Sequence, residues 1–226
     1  MAPTMLARPI LLGHRGARGT RSVPENSIFS FDLALEHGCD GFEFDLRLSG
    51  CGGAVVHHGP RLNGVPLPRT NCEQVKHLPR LENVLRHYGP RVFLDIELKV
   101  KGIESIAISA LREHAPLHYV VSSFLPDVIM ELKARSALVP VGVICEKPGQ
   151  LVRWRKLPVE YVIVHRSLLT RKLVRLIHEA GRKVFVWTVN DESSMLRFRG
   201  WGVDGIISDN TRLLGKVFTR ADRAKL

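Results

Sequence analysis

Short apolar runs alternate with helix-length amphipathic stretches along the chain, and this alternation constrains the fold more than any other feature. Runs of four to eight mostly apolar residues are typical of buried strands, and the stretches between them have the spacing of amphipathic helices. The predicted strands are Pro9–His14, Gly41–Leu46, Val92–Lys99, Tyr119–Ser123, Val139–Ile144, Tyr161–Val164, Val184–Val189 and Gly205–Ser208. A weaker candidate is Ala54–His58.

Each main strand is followed by a predicted helix. The helices are expected near Ser27–His37, Leu81–Tyr88, Ile103–His114, Asp127–Arg135, Gln150–Arg155, Thr170–Ala180, Glu192–Arg199 and Thr211–Phe218. Asn26 and Asp191 stand where helix N-caps are expected, and Gly38 and Gly181 where a glycine would end a helix. Eight strand–helix units predict an α/β fold of the (β/α)₈ TIM barrel type. A doubly wound open sheet would show the same alternation with fewer strands.

A length of 226 residues corresponds to one large domain or two small ones. The predicted barrel makes it a single domain over residues 1–226. The long break in the alternation is residues 59–78, which are rich in Pro, Gly and Asn. We expect this segment to be an extended loop or a small insertion after the second strand. Loops of that length inside a domain are usually functional or mobile.

The chain carries a net charge of +11, from 33 Lys and Arg residues against 22 Asp and Glu residues. Such an excess favours anionic partners, including weak association with an anionic membrane surface. The sequence shows no basic tail and no basic stripe interleaved with aromatic residues, so we expect no nucleic-acid partner. No apolar run approaches the length of a membrane span. The oligomeric state is left open.

The cysteines suggest a reducing location. Cys39, Cys51, Cys72 and Cys145 form no Cys-x-x-Cys pair, which excludes a zinc ribbon or a thioredoxin motif. We expect incidental reduced thiols and a cytoplasmic protein. Residues 1–9 lack the apolar region of a secretion signal, which agrees with that expectation.

Chemically active side chains cluster in and after the first three predicted strands. They are His14 and Arg15 after the first strand, Glu43 and Asp45 in the second, His57 and His58 after the weak strand, and Asp95, Glu97 and Lys99 in the third. In a (β/α)₈ barrel the active site lies at the carboxyl ends of the strands. Taken singly, a carboxylate pair or a histidine at a strand end has a structural role at least as often as a catalytic or metal-binding one. Their convergence on consecutive strands favours a site.

The types of side chain indicate a reaction class. Carboxylates without thiolates suit a hard cation such as Mg²⁺ or Ca²⁺. Arginine and lysine beside a metal suit a phosphate oxyanion. Histidines can accept and donate protons near neutral pH. Together these groups predict metal-assisted hydrolysis of a phosphoester.

An ordered set of motifs along the chain resembles the glycerophosphodiester phosphodiesterase family. The segments that carry the resemblance are Gly13-His14-Arg15-Gly16, Pro24-Glu25-Asn26-Ser27, Gly41-Phe42-Glu43-Phe44-Asp45, Val55-Val56-His57-His58, Ile96-Glu97-Leu98-Lys99, Ser122-Ser123-Phe124, Trp187-Thr188-Val189-Asn190 and Asp204-Gly205-Ile206-Ile207-Ser208-Asp209. They run in order from the first strand to the last. One such motif would be weak evidence, whereas the ordered set is specific.

The resemblance implies a barrel enzyme that cleaves glycerophosphodiesters to glycerol 3-phosphate and an alcohol with a divalent cation, Mg²⁺ or Ca²⁺. By position it implies these roles: Glu43, Asp45 and Glu97 as metal ligands, His14 and His58 as the catalytic acid/base pair, Arg15 and Lys99 as phosphate contacts, and Glu25 and Trp187 in support. Which histidine is the acid and which alcohol is released are left open.

This chain departs from the family pattern after the weak strand. The family has His-Asp where this chain has His58-Gly59. The register of Val55 and Val56 places His58, not His57, at the catalytic position. The lost Asp removes a potential orienting partner of the imidazole, and the insertion that follows is shortened.

Two rival functions are compatible with the same barrel. The first is a related phosphodiesterase that acts on lysophospholipids or phosphoinositides, although residues 59–78 supply no long apolar loop for a lipid tail. The second is a catalytically silent barrel that binds an anion. The complete set of acids and histidines argues against the silent barrel, which has no chemical need to keep them together.

Overall fold

Eight parallel strands close into a barrel because the first strand pairs with both the second and the last. The computed structural model describes residues 8–223. Its strands are β1 (Ile10–His14), β2 (Gly41–Leu48), β3 (Ala54–Val56), β4 (Arg61–Leu62), β5 (Val65–Pro66), β6 (Phe93–Leu98), β7 (His118–Ser123), β8 (Val141–Cys145), β9 (Tyr161–His165), β10 (Lys183–Trp187) and β11 (Gly205–Ser208). Around the barrel the order is β1, β2, β6, β7, β8, β9, β10 and β11. The predicted (β/α)₈ barrel is confirmed.

A helix follows each barrel strand. The helices are α1 (Ile28–Glu36), α2 (Cys72–Val75), α3 (Leu81–Tyr88), α4 (Glu104–His114), α5 (Pro126–Arg135), α6 (Pro148–Leu151), α7 (Arg171–Glu179), α8 (Glu192–Trp201) and α9 (Thr211–Arg223). Asp191 caps α8 as predicted, and its side chain accepts a hydrogen bond from the Ser194 N–H. The prediction that Asn26 caps α1 is wrong. Ser27 caps that helix, and the Asn26 side chain instead binds Asp45 in the barrel.

Two layers of apolar side chains hold the barrel together. Neighbours on a strand point to opposite faces, so Leu11 joins the layer beneath the helices while Leu12 joins a separate cluster inside the barrel. The interior cluster contains Leu12, Val120, Ile144, Tyr161, Ile163, Phe185 and Ile207. These side chains pack the interior and form the floor of any site at the mouth.

Residues 59–78 are more ordered than a loop. They contain the antiparallel pair β4–β5, a 3₁₀ turn at Leu67–Arg69 and the short helix α2. Leu67 and Val75 pack on Val55 in a small core of their own. β3 pairs antiparallel with β2 outside the closed barrel. Residues 59–78, which follow β3, therefore lie beside the barrel mouth.

The expectation of four incidental thiols is wrong. Cys51 and Cys72 form a disulfide that joins the turn before β3 to the first residue of α2. Cys39 and Cys145 are free and buried. No local pattern indicates the pair, because its members are 21 positions apart and their approach depends on the hairpin between them.

Two further expectations concern the ends of the chain and the membrane. Within residues 8–223, no helix has both the length and the apolar character needed to cross a bilayer. The expectation that residues 1–9 contain no secretion signal concerns mainly residues 1–7, which lie outside the described residues.

Candidate active site

Three carboxylates converge at the carboxyl ends of β2 and β6. Glu43 and Asp45 are two residues apart on β2 and therefore share a face, and Asp45 is paired with Glu97 of β6. Each offers an oxygen atom within 4.8 Å of the others. All three are buried, with Asp45 completely inaccessible. We call Glu43, Asp45 and Glu97 the acid cluster.

Burial and mutual repulsion oppose full ionisation of the acid cluster. Burial raises the pKa of Glu43 well above its usual value, and the charges of Asp45 and Glu97 add to the effect. Burial also raises the pKa of Glu97 to about 7, although Lys99 acts in the opposite direction. Asp45 differs, because the charges of Lys99 and Arg15 outweigh its burial and lower its pKa. The cluster lacks the positive charge needed to ionise all three groups.

The acid cluster fits a divalent cation that prefers oxygen ligands. Glu43 Oε1 is buried and has no hydrogen-bond partner among the described residues. A buried polar atom left without a partner is costly. A doubly charged ion would satisfy this oxygen and favour the ionised form of its neighbours. The all-carboxylate donor set suits Mg²⁺ or Ca²⁺ better than Zn²⁺.

The turn after β1 places Arg15 against the acid cluster. Arg15 and Gly16 both have left-handed backbones, with φ of 52° and 78°. A Cβ atom on Gly13 would lie 2.5 Å from the Gly16 carbonyl oxygen, so the turn requires glycine there. The left-handed region is uncommon for residues other than glycine and often marks functional sites. In this conformation the Arg15 N–H donates to Glu43 Oε2 at 3.0 Å, and Arg15 Nε lies 3.1 Å from Asp45 Oδ2.

The segment before α1 holds Arg15 from the other side. Glu25 accepts a hydrogen bond from Arg15 Nη1 at 2.9 Å and another from Arg18 Nε at 2.8 Å. Asn26, with a φ of 58°, donates through Nδ2 to Asp45 Oδ2 at 2.8 Å and accepts from the Asp45 N–H at 3.2 Å. Glu25 thus contacts the arginines rather than the acid cluster.

Lys99 bridges the acid cluster and an aromatic ring. Its Nζ lies 2.8 Å from Glu97 Oε1 and 3.2 Å from Asp45 Oδ1. The same Nζ is 5.6 Å from the centroid of the Phe124 ring. Both lysine and arginine charges are therefore engaged by carboxylates. A cation bound to the acid cluster would leave Arg15 and Lys99 able to attract an anion.

His14 ends β1 and is oriented by a carboxylate from the other end of the chain. Its Nδ1 lies 2.7 Å from Asp209 Oδ1, and its Nε2 lies 3.9 Å from Glu43 Oε2. Burial acts to raise the pKa of Asp209, but hydrogen bonds from His14 and Asn190 outweigh it and lower the pKa to about 2. An ionised Asp209 holds a proton on Nδ1 and turns Nε2 towards the acid cluster.

His58 and His57 lie just after β3 and face different surroundings. His58 lines the cavity described below, whereas His57 Nε2 lies 3.0 Å from the carbonyl oxygen of Arg61. Arg47 Nε donates to the His58 carbonyl oxygen at 2.7 Å and fixes the backbone there. Burial lowers the pKa of His58 to about 4, although the charge of Asp45 acts against this shift.

Both of the candidate catalytic histidines, both cationic side chains and two of the three acid-cluster residues line one cavity of about 240 Å³ at the barrel mouth. One side, which we call the polar half, is formed by His14, Arg15, Glu43, His58, Asp95, Glu97 and Lys99. The opposite side, which we call the apolar half, is formed by Phe124, Ile144, Glu146, Ile163, Trp187 and Ile207. The cavity therefore joins a charged wall to a largely apolar wall.

Comparison with known proteins identifies the family. A family model described as the glycerophosphoryl diester phosphodiesterase family matches residues 14–80 and 66–213. The chain belongs to this family. Proteins of this family are hydrolases, so the chain is a phosphodiesterase with the predicted barrel.

Individual family members extend over nearly the same length. The glycerophosphodiester phosphodiesterase of Caldanaerobacter subterraneus is 29% identical, over 92% of this chain and 96% of that protein. The crystal structure of the Thermotoga maritima glycerophosphodiester phosphodiesterase has a TM-score of 0.77 and 26% identity, covering 93% of this chain and 99% of that one. An Oleispira antarctica phosphodiesterase, solved in complex with the product sn-glycerol-3-phosphate, has a TM-score of 0.75 and 26% identity, covering 93% and 97%.

The glycerophosphodiester phosphodiesterase barrel brings most of the predicted site residues together. Seven of the predicted residues line the cavity: His14, Arg15, Glu43, His58, Glu97, Lys99 and Trp187. Asp45 lies in the acid cluster, and Glu25 stands behind Arg15. Trp187 contacts the rings of His14, Phe124 and His165, with centroids 6.3, 5.7 and 5.3 Å away.

Sequence reasoning gave no role to several residues of the site. Asp209 orients His14, and Asn26 orients Asp45. Asp95 is buried, accepts from Ser122 Oγ at 2.6 Å, and has a pKa raised to about 7 by burial. Asp209 could have been found by the rule that found the others, because it comes directly after the last barrel strand.

Proposed function

We propose that this enzyme hydrolyses glycerophosphodiesters to sn-glycerol 3-phosphate and an alcohol, with a divalent cation held by the acid cluster. The observation that carries the proposal is the convergence of the acid cluster, two histidines and two cationic side chains on one cavity. The product bound to the Oleispira antarctica relative supports a glycerol phosphate product here.

The acid cluster is the binding site for Mg²⁺ or Ca²⁺ in this proposal. When bound, a divalent cation supplies Lewis-acid chemistry, which neutralises the charge that develops on the phosphoryl oxygens. Asn26 holds Asp45 through two hydrogen bonds, so the orientation of one ligand is fixed before the cation binds. A ligand oriented in this way binds metal more tightly than a mobile one.

Arg15 and Lys99 bind the phosphodiester in the proposed mechanism. Both side chains line the cavity beside the acid cluster. Arg15 is fixed by Glu25 and by its own left-handed backbone, so it offers a planar donor in a set orientation. Lys99 lies between Glu97 and Phe124 and provides a second, more compact charge.

His14 and His58 carry out the proton transfers. One removes a proton from the attacking hydroxyl of water or glycerol as the new P–O bond forms, and the other donates a proton to the departing alkoxide as its P–O bond breaks. Where the glycerol hydroxyl attacks first, water then opens the cyclic phosphodiester to give glycerol 3-phosphate. Asp209 fixes the ring of His14, whereas the position of His58 depends on its backbone, which is held by Arg47. Each transfer is typically worth about 10²- to 10⁴-fold in rate.

The cavity favours a small substrate over a lysophospholipid. Its volume of about 240 Å³ lies below the roughly 300–1,000 Å³ of pockets that take drug-sized ligands. The segment that could have covered an acyl chain, residues 59–78, instead folds on its own small core. A catalytically silent barrel is disfavoured because Glu43 keeps a buried oxygen that has no partner within residues 8–223, and this cost brings no structural benefit.

The disulfide bears on the expectation of a cytoplasmic protein. The expectation of a cytoplasmic protein rested on four free thiols, and two of them are joined in a disulfide. Disulfides are uncommon in reducing compartments.

The test is a hydrolysis assay on glycerophosphoglycerol after chelation, with Mg²⁺, Ca²⁺, Mn²⁺ or Zn²⁺ restored one at a time. We expect stripped protein to release no glycerol 3-phosphate, and Mg²⁺ or Ca²⁺ to restore its release. Asp45→Asn should remain folded by circular dichroism and stay inactive with every ion. Full activity in stripped protein would contradict the metal requirement, and no hydrolysis under any condition would contradict the function.

A further inference from the structure

More than half of the net positive charge lies in one part of the barrel wall. Residues 146–183 contain ten Lys or Arg side chains and three Glu side chains, which amounts to +7 of the net +11. This part includes α6, the 3₁₀ turn at Trp154–Lys156 and α7. Seven of its cations are exposed and form no ion pair within residues 8–223: Lys147, Arg153, Arg155, Lys156, Arg171, Lys172 and Arg175. We call these seven residues the basic face.

The two helical segments that carry the basic face are neighbours in space. They follow β8 and β9, which pair with each other in the barrel. A groove of about 280 Å³ lies between them, lined by Trp154 and Arg155 from one segment and by Leu176 and Glu179 from the other. The guanidinium carbon of Arg155 and that of Arg182, which follows α7, each lie 5.1 Å from the Trp154 ring centroid. The charges therefore belong to one continuous surface.

The cations of α7 stand where they destabilise the helix. Arg171 and Lys172 are its first two residues, and its first turn contains no acid. The positive end of the helix dipole lies at this end, so positive side chains are unfavourable there. Arg171 and Arg175 are also one turn apart, and like charges at that spacing repel each other. Because no carboxylate pairs with these charges within residues 8–223, their arrangement favours an anionic partner outside the chain.

Carboxylates in and around this part of the barrel do not cancel the basic face. Glu160 is bound to Lys133 of α5, so its charge is already engaged. Glu146, Glu179 and Glu192 are exposed, but the seven cations outnumber these three acids. On and beside the flanking helices α5 and α8, other acids pair with nearby cations: Asp127 with Lys101, Glu131 with Arg135, and Asp191 with Arg166. The basic face therefore presents a net positive charge to solvent.

Two observations favour a lipid surface over a nucleic acid as the anionic partner. Val152 lies between Lys147 and Arg153 in the sequence and is 72% exposed, so an apolar side chain accompanies the charges. Protein segments that lie in lipid headgroups combine Lys and Arg with apolar side chains. Trp154 and Tyr161, the Trp and Tyr residues of this part, are both buried, so no Trp or Tyr ring is offered for a base to stack on.

We propose that the basic face binds anionic phospholipid membranes peripherally and reversibly. Lipid phosphates act as the ion-pair partners that the seven cations lack, and Val152 enters the headgroup layer. Both α6 and α7 begin after the carboxyl ends of barrel strands, so the basic face starts near the mouth and runs along one side of the barrel. A membrane bound there lies beside the mouth and does not cover the cavity. This inference is independent of the proposed function.

The experiment measures co-sedimentation of the protein with vesicles of phosphatidylcholine alone and of phosphatidylcholine with one third phosphatidylglycerol. We expect binding to the anionic vesicles only, and weaker binding as ionic strength rises to about 0.15 M. A basic side chain near an anionic surface is typically worth about fivefold in affinity, so Arg171→Ala/Lys172→Ala/Arg175→Ala should weaken binding by at least about tenfold. Its kcat with glycerophosphoglycerol should be unchanged, because these residues lie outside the cavity.

Arg86→Ala/Arg91→Ala/Arg112→Ala is the matched control. These exposed arginines lie on and after α3 and on α4, on the opposite side of the barrel, and their replacement removes the same net charge. This variant should bind anionic vesicles within about threefold of wild type. Absence of wild-type binding, or equal losses in the two triple variants, overturns the inference. Tighter binding of a short RNA or DNA duplex than of anionic vesicles, if lost in the α7 variant, would identify a nucleic acid as the partner and overturn it as well.

Discussion

His57 and His58 are neighbours in the chain, yet of the two it is His58 that lines the cavity. His58→Ala should therefore lower kcat by about 10²-fold or more, the loss typical of a general acid or base. His57→Ala is the matched control, since His57 contacts the Arg61 carbonyl instead, and its kcat should stay within a few fold of wild type. Steady-state kinetics with glycerophosphoglycerol measures both. An inactive His57→Ala with an active His58→Ala would reverse our assignment.

Asp209 acts through His14, so its replacement should lower kcat and leave KM nearly unchanged. Asp209→Asn keeps the shape of the side chain but loses the charge that fixes the His14 ring, and we expect kcat to fall about 10- to 100-fold with little change in KM. Asp204 forms a similar pair with His178 at the other end of the barrel, at 2.8 Å. Asp204→Asn should leave kcat unchanged. Equal losses in both variants would indicate a general structural effect.

Site residues in the barrel strands could be predicted from the sequence, but their partners could not. His14, Glu43 and Glu97 were found because barrel chemistry lies at strand ends. The 2.7 Å contact of His14 with Asp209 joins residues 195 positions apart, and no local pattern reports such a pair. The left-handed backbone of Asn26 was missed for the same reason, because its side chain is committed to Asp45 rather than to the helix that follows.

Elements with a strong period were predicted well, and elements that depend on tertiary contacts were not. α3 has the predicted bounds Leu81–Tyr88 because its apolar positions recur at helical spacing. β3 ends at Val56, two residues before its predicted end, since the Val55–Arg80 bridge and the hairpin after it redirect the chain. Residues 59–78 are polar and rich in Pro and Gly, so their apolar residues show neither helical nor strand spacing, although the segment contains β4, β5 and α2.

The disulfide should stabilise the segment that carries His58. Cys51 and Cys72 close a chain segment that includes β3, His58 and the β4–β5 hairpin. Closing such a loop is typically worth about 2–4 kcal/mol, so Cys51→Ser/Cys72→Ser should lower the melting temperature by roughly 5–15 °C. Scanning calorimetry with and without reductant measures this. Reductant should destabilise the wild type and leave the double variant unchanged; a wild type insensitive to reductant would contradict this account.

At the scale of the whole molecule, the net charge of +11 should speed the capture of an anionic substrate. The Debye length shortens from about 30 Å at 0.01 M ionic strength to about 8 Å at 0.15 M. We expect kcat/KM for glycerophosphoglycerol, which carries one negative charge, to fall over that range while kcat stays constant. Glycerophosphocholine, with no net charge, is the control and should respond less. Equal salt dependence for both would show that the basic surface does not steer the substrate.

A divalent cation held by the acid cluster should stabilise the protein to an extent that depends on pH. Burial raises the pKa of both Glu97 and Asp95 to about 7, above the values of an unfolded chain. The metal-free folded protein therefore retains protons that the unfolded chain releases, and its stability should fall as pH rises through 7. A cation bound to the acid cluster takes the place of the Glu97 proton and binds best once that proton has left.

The most direct measurement is the melting temperature of chelated protein with and without millimolar Mg²⁺ or Ca²⁺, at pH 6 and at pH 8. We expect at least one of these ions to stabilise the wild type, and to do so more strongly at pH 8 than at pH 6. Asp45→Asn, which removes one ligand from the acid cluster, should lose most of that stabilisation at both pH values. Wild-type protein that neither ion stabilises, or a shift that Asp45→Asn retains in full, would contradict the claim.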